Sequence, residues 1–72
     1  MRLVMTRERL ARGWSRQELA GLARLAPADI GKAETGRIVL YESQLQRICS
    51  AMGWPTDRAV ELLEEDTTHG DD

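Results

Sequence analysis

The sequence predicts an all-α domain built from five short helices, and three observations carry that expectation. No stretch alternates apolar and polar residues for long, so strands find little support. Gly or Pro punctuates the chain at short intervals, Phe is absent and Val is sparse, which fits short helices joined by tight turns. Leu45, Ile48, Cys49 and Met52 fall at i, i+3, i+4 and i+7, the spacing of a core-facing helical stripe. With 72 residues, 42% of them apolar and 31% charged, the chain has the size and composition of one small soluble domain.

Each element has a local cause. Helix one, expected over roughly 2–12, is rich in good helix formers, and Glu8 with Arg12 makes a favourably oriented i,i+4 pair. Gly13 supplies the left-handed residue that ends it. Ser15-Arg16-Gln17-Glu18 has the form of a capping box, with Ser15 as N-cap and Glu18 reaching back. Helix two then runs to about Ala23 and turns Leu19, Ala20 and Leu22 inward. After a turn at about Arg24-Leu25-Ala26, Pro27 suits the first position of helix three, where its missing N–H costs nothing, and Gly36 stops that helix. Helix four spans roughly 42–52 and ends at Gly53. Thr56 is the expected cap of helix five, which runs to about Glu65 and offers Ala59, Val60, Leu62 and Leu63 for burial. Residues 1–65 then form one domain, and residues 66–72 read as an acidic, flexible tail.

Composition narrows the function classes. A single cysteine, Cys49, rules out an internal disulfide framework and any multi-cysteine metal site, and it reads as a small buried hydrophobe. The one histidine, His69, stands among the tail residues, so a His-based catalytic centre or a two-histidine metal site lacks raw material. The expectation is a non-enzymatic protein with no metal and no cofactor. No apolar run approaches a membrane span, and no charged start leads into an apolar leader, so a cytoplasmic location and no membrane partner are expected. Trp14 and Trp54 each follow a glycine at a helix end and read as packing residues.

The net charge of −2 is distributed unevenly. Residues 1–37 carry eight basic side chains and four acidic ones, and residues 38–72 carry two basic and eight acidic ones. Such a chain has a directional field, and arginine, nine of the ten basic residues, suits bidentate phosphate contacts. A capped helix, a short turn and a second helix of two turns describe a helix-turn-helix, with small Ala20 at the crossing and Leu25 and Ile30 locking the pair. An αα-hairpin with no nucleic-acid role has the same local features.

Gly13-Trp14-Ser15-Arg16-Gln17-Glu18-Leu19-Ala20, followed by Pro27-Ala28-Asp29-Ile30-Gly31-Lys32-Ala33-Glu34-Thr35-Gly36-Arg37, resembles the Cro/repressor-type (Xre-like) helix-turn-helix family. Leu45 to Trp54 is similar to that family's fourth helix and the glycine after it, so the resemblance extends over about residues 3–65. It implies a lambda-repressor-like five-helix bundle whose residues 1–65 form a DNA-binding domain. It also implies a transcriptional regulator, bacterial or phage, that binds a two-fold operator on double-stranded DNA as a homodimer with helix three in the major groove. A nucleoid-associated location follows.

The resemblance further implies a DNA-binding set of Arg16, Gln17, Ala26, Pro27, Ala28, Gly31, Lys32, Thr35 and Arg37. Within it, Arg16 matches a phosphate clamp, Thr35 and Arg37 match contacts to the DNA backbone, and Pro27, Ala28, Gly31 and Lys32 face the groove. Arg9 and Glu34 match a structural ion pair. Arg24 stands where many members carry glycine, and Ala26 where they carry a polar N-cap. Lys32 is the one long polar side chain among the four groove positions, so readout is expected to lean on DNA shape and flanking residues. The alternative is a protein-interaction or antitoxin-like accessory module on the same fold, with a protein partner and weak or no DNA binding, which the net acidity and the poor reading face favour.

Overall fold

The structure, a computed structural model, describes residues 2–67. Four α-helices, α1 (Val4–Ala11), α2 (Arg16–Ala23), α3 (Pro27–Glu34) and α4 (Glu42–Met52), are followed by a fifth, 3₁₀ helix over Thr56–Leu63. The all-α five-helix fold is as expected. α2 packs against α3 and α4, and the 3₁₀ helix packs against α4 and α1. The core they enclose centres on Met5, Leu19, Ala20, Ile30, Ile48, Cys49 and Leu62, all fully buried. Burial pushes the Cys49 thiol pKa up, which keeps it protonated as a small core residue.

The helix boundaries follow from local chemistry. Ser15 Oγ accepts from the Glu18 amide at 3.0 Å, and a Glu18 carboxylate oxygen accepts from the Ser15 amide at 2.7 Å, completing the expected capping box of α2. Gln44 serves the Tyr41 amide at 2.7 Å in the same way at the start of α4. α3 starts on Ala26 with no side-chain cap and with Pro27 at its first position. Each of the four α-helices ends with a residue at positive φ, namely Gly13, Arg24, Gly36 and Gly53. In each, the next amide donates back to the last turn: Trp14 to Arg9 O, Leu25 to Ala20 O, Arg37 to Lys32 O and Trp54 to Cys49 O. Trp14, Leu25 and Trp54 then pack against the core. Arg24, at φ 59°, is the one non-glycine residue in this conformation among the described residues, a substitution that costs of order 1 kcal/mol.

Four expectations are corrected. Helix one begins at Val4, because residues 2–3 pair instead with the other end of the domain. Leu3 and Glu65 form an isolated antiparallel bridge, the Val4 amide donates to Glu64 O at 2.9 Å, and the Asp66 amide donates to Arg2 O at 2.6 Å. The fifth helix stops at Leu63 and Pro55, not Thr56, precedes it; Arg58 leaves helical geometry at φ −117°, and its carbonyl accepts from Trp54 Nε1 at 3.0 Å. Leu22 and Val60 are exposed instead of buried. In α2 the inward stripe is Leu19, Ala20 and Ala23, which leaves Leu22 on its flank, and three residues per turn align Ala59 with Leu62 and rotate Val60 outward. Asp66, read as the start of the tail, is buried, and one of its carboxylate oxygens accepts from Arg7 Nη1 at 2.9 Å. His69 and the rest of the expected tail from residue 68 lie outside the described residues.

Candidate nucleic-acid interface

α3 divides its residues by face. Ile30, Ala33 and Glu34 point into the domain, whereas Pro27, Ala28, Lys32 and the following Thr35 and Arg37 are exposed and Gly31 is half-buried. Arg16, Ala28, Gly31, Lys32, Thr35 and Arg37 together line one shallow concavity of about 390 Å³. Gln17 lies in a neighbouring depression with Trp14, Glu18, Gly21 and Leu22. Ala26 and Pro27 are exposed at the start of α3, outside the concavity.

Arg37 breaks the pattern of the other helix ends. The residue after the positive-φ position is Trp14, Leu25 or Trp54 elsewhere, and each of those docks on the core. After Gly36 the same position carries a charged, exposed side chain at the rim of the concavity. Core packing therefore does not account for Arg37. Thr35 is less available. Its hydroxyl donates to Gly31 O at 2.9 Å, so in this conformation its one O–H proton is already in use.

The expected Arg9–Glu34 pair is present and buried. Arg9 Nε donates to Glu34 Oε2 at 2.8 Å, Arg9 Nη2 to Oε1 at 3.1 Å, and Arg9 Nη1 to Trp14 O at 2.8 Å. A third partner was not expected. Arg16 Nε donates to Glu34 Oε1 at 2.8 Å, so one carboxylate holds two guanidiniums. The Glu34 side chain is 2% exposed and that of Arg16 is 49% exposed. No local pattern announces this contact, because it joins residues 18 apart through tertiary packing.

The arginines of α1 and of its C-cap, Arg12, are engaged with acids. Arg7 bonds Glu8 and Asp66, and Arg12 bonds Glu8 at 2.7 Å, donates to Met52 O and lies over the Trp14 ring. Hydrogen bonds from Arg12, then from Arg7, hold the Glu8 carboxyl below the usual glutamate range. On the α3 face, Lys32 and Arg37 have no acidic partner among the described residues. The start of α2 is also partly occupied, since the Glu18 carboxylate takes the Ser15 amide.

A family of proteins described as helix-turn-helix domain matches residues 2–63 of the chain. The chain belongs to the helix-turn-helix domain family. No curated protein and no solved structure matches it significantly. In a helix-turn-helix of this kind the second helix of the motif lies in the DNA major groove and the first crosses the backbone. Here α2 and α3 pack together as the two helices of such a motif, and the concavity over Gly31 opens on the exposed side of α3. No described helix is long and apolar enough to cross a membrane.

Proposed function

We propose that this protein is a sequence-preferring DNA-binding transcriptional regulator of bacterial or phage origin, of the Cro/repressor (Xre-like) type. It acts without catalysis, metal or cofactor, in the cytoplasm and on the nucleoid. It binds a two-fold operator as a homodimer, with α3 of each copy in the major groove. The observation that carries this reading is the grouping of Arg16, Lys32 and Arg37 around one concavity on the exposed side of α3. Phosphate contacts by Arg37, with counterion release, supply affinity, and the α3 face together with DNA shape supplies preference.

A second reading, a protein-interaction or antitoxin-like module, is favoured by one surface. Val39 and Tyr41, in the connection between α3 and α4, are 79% and 76% exposed, and Ile38 beside them is also exposed. Titration of fluorescent duplex DNA with the protein over a range of salt separates the two. A DNA-binding regulator loses affinity steeply as salt rises, whereas a protein-binding module shows little DNA affinity at any salt.

A further inference from the structure

The resemblance assigns Arg16 to a phosphate. The geometry points instead to a base edge, and we propose that Arg16 is the residue that reads a guanine in the major groove. This inference rests on the DNA-binding reading of the α3 face.

Three observations converge on it. The Arg16 side chain does not run outward from the start of α2. Its Nε is tied to buried Glu34 Oε1 at 2.8 Å. Its terminal Nη1 lies across Gly31, 3.5 Å from where a Cβ on that residue would stand. Although Arg16 starts on α2, the helix of such a motif that crosses the DNA backbone, its guanidinium is thus laid over the middle of α3, the helix that enters the groove. With Nε occupied, Nη1 and Nη2 find no acceptor among the described residues, and together they form one planar edge of donors.

That edge is what a guanine requires. Its O6 and N7 are adjacent acceptors in the major groove, and a bidentate arginine is their commonest specific partner. Glu34 is a positioning residue in this arrangement. It orients the fork before DNA arrives, and because Arg9 holds the same carboxylate from the other side, the carboxylate cannot follow Arg16 away. The reading face, which carries one long polar side chain by sequence, thereby gains the bidentate donor that it lacked.

The test uses the full chain as a folded protein. Wild type and the R16A and R16K variants, each checked for native circular dichroism and melting, are used to select duplexes from a randomised library. Each protein is then titrated against the wild-type winner, a scrambled duplex, and the winner with the preferred guanine replaced by 7-deazaguanine. The expected result is a guanine preference in the wild type that both variants lose at that position alone. R16A should weaken the selected duplex by roughly 5- to 150-fold more than the scrambled one. R16K, which keeps the charge but lacks a planar pair of donors, should bind the scrambled duplex like the wild type and still lack the guanine preference, and deazaguanine should weaken the wild type and leave R16A unaffected. An R16A variant that selects the same sequence and loses affinity equally on every duplex, with a flatter salt dependence, overturns the inference and returns Arg16 to a phosphate while leaving the DNA-binding reading intact. A wild type that binds no duplex overturns both.

Discussion

Arginine is used differently on two sides of this domain. Along α1, Arg7, Arg9 and Arg12 are each bonded to Glu8, Glu34 or Asp66, and Arg9 is buried with its partner. On the α3 face, Arg37 stands exposed where the other helix ends place a core-packing residue, and Lys32 stands beside it. The basic half of the sequence thus overstates the charge offered to a ligand. What matters is where each acid folds to, and Glu8, Glu34 and Asp66 fold onto Arg7, Arg9 and Arg12. Arg16 lies between the two regimes, with its Nε held by Glu34 and its remaining edge in the concavity.

The sharpest way to break the comparison is to take an acid from the internal side. Glu34→Ala leaves Arg9 buried without its carboxylate and is expected to destabilise by about 3–5 kcal/mol. Replacing both residues, as Arg9→Met with Glu34→Leu, should cost much less, because the uncompensated charge disappears with its partner. Urea unfolding of the two single variants and the double variant checks this. Additive losses would mean that the two side chains do not act as a unit.

Smaller effects are expected at the helix ends. Glu18→Ala removes one half of the capping box and should lower stability by about 0.5–2 kcal/mol, read from the same unfolding curves. Arg24→Gly should go the other way, gaining up to about 1 kcal/mol by relieving the left-handed conformation. Its main-chain carbonyl still accepts from Arg47 Nη1 in the variant, since that bond does not involve the Arg24 side chain.

The smallest expected effect is a pH dependence. Folding lowers the Glu8 pKa through its bonds to Arg12 and Arg7, so the folded state takes up a proton there less readily than the unfolded chain. The resulting stabilisation is complete above the ordinary glutamate value, about 4.3, and is lost as pH falls from there through the lowered native value. Glu8→Gln should flatten this part of the acid limb in thermal melts between about pH 5 and 2. An acid limb identical to that of the wild type would show that the Glu8 pairs do not persist in solution.

Much of the fold is legible in the sequence because its causes are local. The Ser15–Glu18 box, Pro27 at the start of α3 and the glycines after α1, α3 and α4 are decided by residues within one turn of each other. The Leu45, Ile48, Cys49 and Met52 stripe reports α4 for the same reason. What the pattern did not reveal depends on distant partners. Leu22 and Val60 are apolar, but the packing of α2 and the 3₁₀ geometry at Thr56–Leu63 turn them outward. Asp66 belongs to the domain because Arg2 and Arg7 reach it from the opposite end of the chain. At the candidate site, Gln17, Ala26 and Pro27 fall outside the shared concavity, and one relation has no signal in the sequence. Arg16, Gly31, Lys32 and Arg37 do share a surface, but the bond from Arg16 to Glu34 exists only once α2 and α3 are packed.

The central claim, that the arginines of α1 serve the fold while the cations of the α3 face serve DNA, is tested most directly by comparing Arg12→Ala with Arg37→Ala. Each folded variant is titrated by fluorescence anisotropy against duplex DNA at several salt concentrations. Arg37→Ala is expected to weaken binding to every duplex and to flatten the log–log salt dependence by about one unit per protomer, the loss of one phosphate contact. Arg12→Ala, whose guanidinium is held by Glu8, Met52 and Trp14, should lower stability and leave the salt slope at its wild-type value. Equal changes in slope for the two variants, or no change for Arg37→Ala, would contradict the account.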